Sequence, residues 1–112
     1  MTDTTPEIAT NRTASTEFVI RNPLGVYGRL ATLIARCAMS FESDIELRVN
    51  GRSHSAKSVL DLLMAHLASG TRGVIAARGI DSLMAVEVLV ELIGTLGEWE
   101  TPALRNSDFE ED

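Results

Sequence analysis

The residues best placed for chemistry form the segment Gly25-Val26-Tyr27-Gly28-Arg29, which opens the first predicted helix. Backbone N–H groups at a helix N-terminus and a nearby arginine together favour the binding of a phosphate. The residue offered to such an anion is Tyr27. A phenol forms a phosphate ester but no phosphoramidate, and with an ordinary pKa of about 10 it is mostly protonated near neutral pH. The segment therefore combines phosphate-binding features with a poor phosphoryl carrier.

Two interpretations of Tyr27 remain open at this stage. In the first, its ring covers the start of the helix and its hydroxyl group lies in water. In the second, the tyrosine is a regulatory residue that becomes phosphorylated. The first interpretation agrees with Leu30, which we expect to extend the apolar surface beside Tyr27.

A second candidate is Ser58, which follows Lys57 and starts the second predicted helix. Ser58 and Asp61 form a variant of the capping box, with a hydroxyl at the N-cap and a carboxylate three residues later. A capping serine stabilises a helix by roughly 1 kcal/mol relative to alanine. A phosphate there would gain from the helix dipole and add nearly two negative charges. Capping and regulation are therefore compatible roles for Ser58.

Other residue types that often carry catalysis lack the companions that they need. His54 and His66 have no cysteine or carboxylate at metal-ligand spacing, which argues against a metal site. Cys37 lies in an apolar helical segment, where a thiol is usually inert. We find no glycine-rich nucleotide loop and no nucleophile–base pair. The sequence predicts neither an enzyme nor a bound cofactor.

The elements that position these residues are predicted in the order β-α-β-β-α-β-α. Strands are predicted at 17–20, 44–49, 52–56 and 72–78, and helices at 28–40, at 59–67 and from 81 or 82 onward. Asn50-Gly51 predicts a two-residue hairpin turn, because both residues must accept positive φ. Gly94 and Gly97 are expected to end the fold. This order predicts an α+β two-layer domain with helices on one face of one sheet.

The composition limits the class of protein. The chain of 112 residues suffices for one small domain. We expect the domain at 16–95, with a flexible tail at 1–15 and an acidic flexible tail at 96–112. Residues 16–95 hold eight basic and eight acidic residues, so the net charge of −6 comes from the tails. No basic stripe for nucleic acid, no membrane-spanning apolar run and no secretory signal is present. These features predict a cytoplasmic protein.

Three segments give the chain a resemblance to a known family. Residues 25–31 resemble the active-site segment of HPr. HPr is the histidine-containing phosphocarrier of the bacterial sugar phosphotransferase system. The regulatory-serine segment of that family resembles residues 50–60 more closely, and its last helix is similar to residues 85–90. The resemblance covers about residues 16–95. It implies a four-stranded antiparallel sheet covered on one face by three helices, in the order βαββαβα.

Carried over residue by residue, the resemblance is uneven. Tyr27 occupies the position of the phosphorylated histidine, and Arg29 that of the arginine that contacts the phosphate. Gly28 replaces a small hydroxyl residue or alanine, and Leu30 replaces a proline. Ser58 corresponds to the serine that a dedicated kinase phosphorylates in many members. The carrier segment has therefore diverged, whereas the serine segment has not.

The chemistry of phosphate transfer makes the change at Tyr27 decisive for the predicted function. The N–P bond of phosphohistidine has a high transfer potential, whereas a phosphate on tyrosine would be stranded. We therefore predict a regulatory protein of the phosphotransferase system that does not carry phosphate on histidine. Two alternatives remain, namely a phosphotransfer component that uses another residue such as His54, and a structural or oligomerisation module.

The predicted first helix is apolar on two faces, of which only one can lie on the sheet. The second face either packs under another segment or exposes an apolar patch. The resemblance implies that partner proteins dock here, such as enzymes of the phosphotransferase system, a serine kinase/phosphorylase or a transcription regulator. Self-association as a weak homo-oligomer and cover by a terminal tail remain alternatives. The predicted docking residues are Leu30, Leu33, Cys37, Val59, Leu60 and Met64.

Overall fold

The computed structural model describes residues 12–99 of the chain and confirms the predicted α+β fold. The four strands are β1 (Thr13–Val19), β2 (Asp44–Val49), β3 (Arg52–Ser55) and β4 (Arg72–Arg78). The three helices are α1 (Gly28–Met39), α2 (Val59–Met64) and α3 (Ser82–Trp99). The strands form one antiparallel sheet in the order β1-β4-β2-β3. No helix within residues 12–99 is long and apolar enough to cross a membrane.

The core lies between one face of the sheet and the helices. The buried strand residues alternate along the chain with more exposed ones, as the period of two in a β-strand requires. The helices contribute a stripe of α1 that includes Ile34 and a stripe of α3 that includes Leu89. The buried strand residues are Phe18, Ile45, Leu47, Val49, Ile75 and Ala77.

The predicted hairpin joins β2 and β3. Asn50 and Gly51 adopt φ values of 54° and 79°, and Val49 pairs with Arg52 across the two-residue loop. Positive φ at both loop residues matches the right-handed twist of the strands. The turn also sets the register that puts His54 opposite the buried Leu47, so His54 lies on the helix-covered face of the sheet.

Two helix ends differ from the prediction. The second helix stops at Met64, because His66 adopts a positive φ of 53° that ends it. The last helix passes through Gly94 and Gly97, which were expected to end the fold, and continues to Trp99. Glycine weakens a helix by only about 1 kcal/mol, and burial of the apolar face of α3 outweighs that cost.

The terminal tails predicted at 1–15 and 96–112 lie mostly outside the described residues. Within the described part, residues 13–15 belong to β1, because Thr13 pairs with Arg78 at the far end of β4. Residues 96–99 belong to α3. Regular secondary structure therefore extends past 16–95 at both ends.

A hydrogen-bonded clamp ties the loop after α1 to the loop before α3. The carboxylate of Asp81 accepts hydrogen bonds from the backbone N–H groups of Glu42 at 2.9 Å and Ser43 at 3.0 Å, and from the Ser43 hydroxyl. These bonds, with the Ser43 hydroxyl bond the strongest cause, hold the pKa of Asp81 below its ordinary value. The clamp places the end of α1 beside the start of α3, so the two helices run in opposite directions.

The clamp predicts acid sensitivity. The folded state binds a proton on Asp81 less tightly than the unfolded chain, so this carboxylate contributes stability above its ordinary pKa of 3.8. That stability is lost as the pH falls through the lower pKa of the folded state. We expect the free energy of unfolding, measured with urea between about pH 2 and pH 6, to fall more steeply in the wild type than in Asp81→Asn. An equal fall of the unfolding free energy with pH in the two proteins would show that the hydrogen bonds of Asp81 do not stabilise the fold.

Candidate functional site

The start of α1 is held by the loop that precedes it. Asn22 is buried, and its amide donates to the Gly25 carbonyl at 2.9 Å and accepts from the Leu24 N–H at 3.2 Å. The Val26 N–H donates to the Leu67 carbonyl at 2.8 Å, which joins this loop to the segment between α2 and β4. The only sequence signal was the Asn-Pro turn composition. Two loops together therefore fix the position of residue 27.

Tyr27 is the N-cap residue of α1. Its backbone is extended, with φ −125° and ψ −172°, and its carbonyl accepts the first helical hydrogen bond from the Ala31 N–H at 2.8 Å. Its ring is partly buried and packs against the core. Arg29 is exposed in the first turn, and Gly28 is exposed beside it. The structure thus brings the tyrosine, the arginine and the helix N-terminus to one end of the domain.

Leu30 requires a correction. It is 0% exposed and belongs to the core, in contrast to the prediction that it extends the apolar surface and takes part in docking. Its position falls on the stripe of α1 that faces the sheet, together with Ile34. Periodicity alone did not show which of the two apolar stripes faces the sheet at this position.

Ser58 is the N-cap residue of α2. Its hydroxyl oxygen accepts from the Asp61 N–H at 3.1 Å, which is one half of the predicted capping box. The other half differs, because the Asp61 carboxylate accepts from the Ser55 N–H at 2.8 Å. The Nζ of Lys57 donates to the Phe41 carbonyl at 2.9 Å. Lys57 therefore ties the start of α2 to the loop after α1.

His54 has a carboxylate partner that its spacing in the sequence did not suggest. Its Nδ1 lies 2.9 Å from Oδ1 of Asp61, and its side chain is 12% exposed. The Ser55 N–H first, and then His54, hold the pKa of Asp61 below its ordinary value. His54 and Tyr27 do not come together, because Lys57 contacts the chain beyond the end of α1 whereas Tyr27 precedes its start.

The remaining predicted docking residues line a surface where α1 and α2 pack side by side. Leu33, Leu60 and Met64 are 42%, 67% and 62% exposed, and Cys37 and Val59 are partly buried. Leu63, which is 38% exposed, extends the same surface and was not among the predicted residues. We call these six residues the docking face. Burial raises the pKa of the Cys37 thiol, which makes it a poorer nucleophile.

No cluster of three metal-ligating side chains occurs among the residues that the structure describes. The geometry is that of a small protein with an anion-favouring helix start, a capped serine and an exposed apolar face. These features define the class of a two-layer α+β domain with candidate phosphate-accepting residues at two helix starts.

Comparison with known proteins identifies the family. A family model described as the PTS HPr component phosphorylation site matches residues 14–95, and the chain belongs to the HPr family. The phosphocarrier protein HPr of Buchnera aphidicola subsp. Baizongia pistaciae is 38% identical over 77 residues, which cover 69% of this chain and 91% of that protein. The resemblance seen in the sequence is thereby confirmed.

Solved structures support the same assignment. HPr-C-His from Thermoanaerobacter tengcongensis is similar with a TM-score of 0.72 and 26% identity, over 76% of this chain and 96% of that one. Crh from Bacillus subtilis, described as a catabolite repression protein that forms a swapped dimer, is similar with a TM-score of 0.56 and 31% identity. That match covers 67% of this chain and 86% of Crh.

Proposed function

We propose that this protein is a regulatory member of the HPr family, which acts in the cytoplasm by binding protein partners and does not carry phosphate at residue 27. Ser58 is its phosphorylation site. The observation that carries the proposal is a contrast between two helix starts. At α1 the position of the phosphoryl acceptor in the HPr family is occupied by Tyr27, whereas at α2 the hydroxyl of Ser58 is kept and caps the helix by accepting from the Asp61 N–H.

The environment of Tyr27 supports the loss of carriage. Its ring is partly buried against the core, so the side chain contributes to packing. A phosphate on its oxygen would form a stable ester that the next protein in a relay would not readily accept. Arg29 and the helix start would stabilise a bound phosphate, but they do not change the leaving-group chemistry.

The position of Ser58 gives its phosphorylation an effect on binding. Val59 and Leu60 of the docking face follow Ser58 directly, so a phosphate would put nearly two negative charges at the edge of an apolar surface. The carboxylate of Asp61 contacts Ser55 and His54, which fixes the position of its negative charge. A partner with a basic surface would therefore prefer the protein phosphorylated at Ser58, and a partner with an acidic surface would prefer the unphosphorylated protein. The similarity to Crh, described as catabolite repression HPr, favours such a regulatory role.

The proposal is tested by two phosphorylation reactions on the full chain. One uses the serine kinase of an HPr system with ATP, and the other uses the phosphoenolpyruvate-dependent first enzyme. We expect one phosphate on Ser58 in the first reaction and none in the second, as read from intact mass and site mapping. The Ser58→Ala variant should lose the phosphate, whereas Ser53→Ala, at an exposed serine of β3, should keep it. Acid-labile phosphate in the second reaction would refute the loss of carriage.

The docking face predicts a loss of partner binding on substitution. Leu60→Asp puts a charge at the most exposed residue of this face, so we expect affinity for the serine kinase to fall by about tenfold or more. Leu83→Asp is the matched control, because Leu83 is similarly exposed but lies on α3. Calorimetry or surface plasmon resonance would measure both. Equal losses of kinase affinity in the two variants would show that the kinase does not bind specifically at the docking face.

A second candidate function is phosphotransfer through another histidine. The structure weakens His54 for this role, because the ring is largely buried and paired with Asp61. His66 is exposed, and its neighbour Leu67 binds the Val26 N–H, so His66 lies at the Tyr27 end of the domain. If acid-labile phosphate forms at all, we expect His66→Ala to abolish it and His54→Ala to retain it.

A third candidate is an oligomerisation module. The observation in its favour is the swapped dimer described for Crh, together with the edge position of β1, which pairs only with β4 in the described sheet. Sedimentation of the unphosphorylated chain would separate this candidate from the regulatory one. A stable dimer whose Ser58 is inert to the kinase would favour it.

A further inference from the structure

A chain of polar contacts links the start of α2 to β3. The Ser58 hydroxyl accepts from the Asp61 N–H at 3.1 Å. The Asp61 carboxylate lies 2.9 Å from Nδ1 of His54 and accepts from the Ser55 N–H at 2.8 Å. The side chains of His54 and Asp61 are 12% and 38% exposed, so solvent screens their interaction only in part. A charge added at Ser58 therefore acts on a carboxylate and an imidazole that are already in contact.

One ring nitrogen of His54 is bound to Asp61, and the other is able to take a proton. The Ser55 N–H first, and then His54, hold the pKa of Asp61 below its ordinary value, so its carboxylate is charged wherever an ordinary imidazole titrates. A neutral imidazole meets this carboxylate with its Nδ1–H. Among the described residues, the only buried side-chain nitrogen or oxygen without a hydrogen bond is the Ser82 hydroxyl. Nε2 of His54 is therefore open to solvent.

The elements packed against β3 place one charged side chain toward His54. These elements are β2 and α2. The residues of β2 on the same face of the sheet are buried and apolar, and Asp61 is the one charged residue of α2. Within β3 itself, the exposed Arg52 lies on the same face as His54. Lys57, in the loop before α2, has its Nζ at the Phe41 carbonyl.

A phosphate on Ser58 would repel the carboxylate of Asp61. It carries nearly two negative charges, and a phosphate beside an aspartate is destabilised by like-charge repulsion. A cation that approaches the pair relieves this repulsion. Lys57 would have to give up its hydrogen bond to Phe41, whereas His54 becomes a cation in place. Protonation at Nε2 leaves the Nδ1–H of His54 on Asp61, so no contact of the folded protein is lost.

We propose that phosphorylation of Ser58 is coupled to protonation of His54, so that the phosphorylated protein binds a proton at Nε2 more tightly than the unphosphorylated protein does. The proton comes from solvent, and the imidazole becomes an imidazolium held by Asp61. The coupling is reciprocal, so a protonated His54 favours the phosphorylated state. As the pH falls, this proton makes the phosphorylated edge of the docking face less negative, and partner binding there becomes pH-dependent. The inference rests on the proposed function in one respect, the phosphate on Ser58.

The coupling is tested by NMR titration of the histidine ring signals in the full chain, with and without phosphate on Ser58. We expect the titration midpoint of His54 to rise by about one pH unit on phosphorylation. His66 is the internal control, because it is exposed beyond the other end of α2, and its midpoint should stay unchanged. Equal midpoints of His54 in the two forms would overturn the proposal.

A reciprocal measurement follows the phosphate itself by phosphorus NMR. An imidazolium nearby favours the doubly ionised phosphate, so the phosphate should ionise at lower pH in the phosphorylated wild type than in phosphorylated His54→Gln. His66→Gln is the matched control and should titrate like the wild type. A phosphate that titrates identically in the wild type and in His54→Gln would contradict the coupling.

The proposed function and this inference fail separately, because phosphoserine introduced at position 58 by semisynthesis needs no kinase. If the kinase leaves Ser58 unmodified while the midpoint of His54 rises in the semisynthetic phosphoprotein, the proposed function fails and the coupling stands. If the kinase phosphorylates Ser58 and the midpoint of His54 does not move, the coupling fails alone.

Discussion

Replacing Tyr27 with histidine should allow the chain to accept phosphate from the phosphoenolpyruvate-dependent first enzyme of the phosphotransferase system. The position is already the N-cap of α1, with Arg29 exposed in the first turn. At pH 7 only about 0.1% of an ordinary phenol is ionised, whereas most of an ordinary imidazole is neutral and nucleophilic. We expect the initial rate of phosphate incorporation to rise on the order of 100-fold or more over the wild type.

The readout for Tyr27→His is acid-labile phosphate mapped to residue 27. Tyr27→Phe is the matched control, because it keeps the ring that packs against the core and offers no acceptor. Equal incorporation in the wild type, the histidine variant and the phenylalanine variant would show that the acceptor lies elsewhere. Incorporation that is high only in Tyr27→His would show that the protein keeps a working binding surface for the enzyme and lacks only the acceptor.

Gly79→Ala should destabilise the fold by about 1–3 kcal/mol, because the new methyl group overpacks the clamp between the loops. Gly79 has a φ of 151°, and a Cβ built on it lies 2.5 Å from the Ser43 hydroxyl oxygen and 2.7 Å from the Ser43 Cα. The second of these atoms is backbone, so the Ser43 loop would have to shift. That shift would weaken the hydrogen bonds of Ser43 to Asp81.

The control for Gly79→Ala is Gly94→Ala, which should have the opposite sign. Gly94 lies inside α3, and a Cβ built on it meets nothing within 4 Å. Alanine in a helix interior is more favourable than glycine by about 0.5–1 kcal/mol, so this variant should be more stable than the wild type. Urea unfolding of the three proteins measures both changes. An unchanged free energy of unfolding in Gly79→Ala would mean that the Ser43 loop shifts without loss of stability.

Local features of the chain were predictable because short-range physics decides them. The two-residue turn at Asn50-Gly51 follows from the need for positive φ, and the Ser58 cap follows from a hydroxyl that satisfies a helix N–H. The alternation of Ile45, Leu47 and Val49 predicted the buried face of β2. Each of these predictions depends on residues within a few positions of one another.

Contacts between distant segments were not predictable, since no local pattern records which elements become neighbours. The pairing of His54 with Asp61 depends on the hairpin register and on the packing of α2 beside β3. The length of α3 was underestimated because tertiary burial outweighs the helix-weakening effect of Gly94. Leu30 was placed on the wrong face for the same reason, as only packing shows which stripe of α1 the sheet covers.

Residue type and spacing were enough to predict the order of elements, the likeness to HPr and the chemical limits of Tyr27. Packing, by contrast, decided which apolar residues of α1 and α2 stay exposed. It also decided which polar groups meet, since Asp81 binds the backbone of Glu42 and Ser43, which lie 39 and 38 residues away in the sequence. Burial and proximity are properties of the packed chain, and they arise only when the helices close over the sheet.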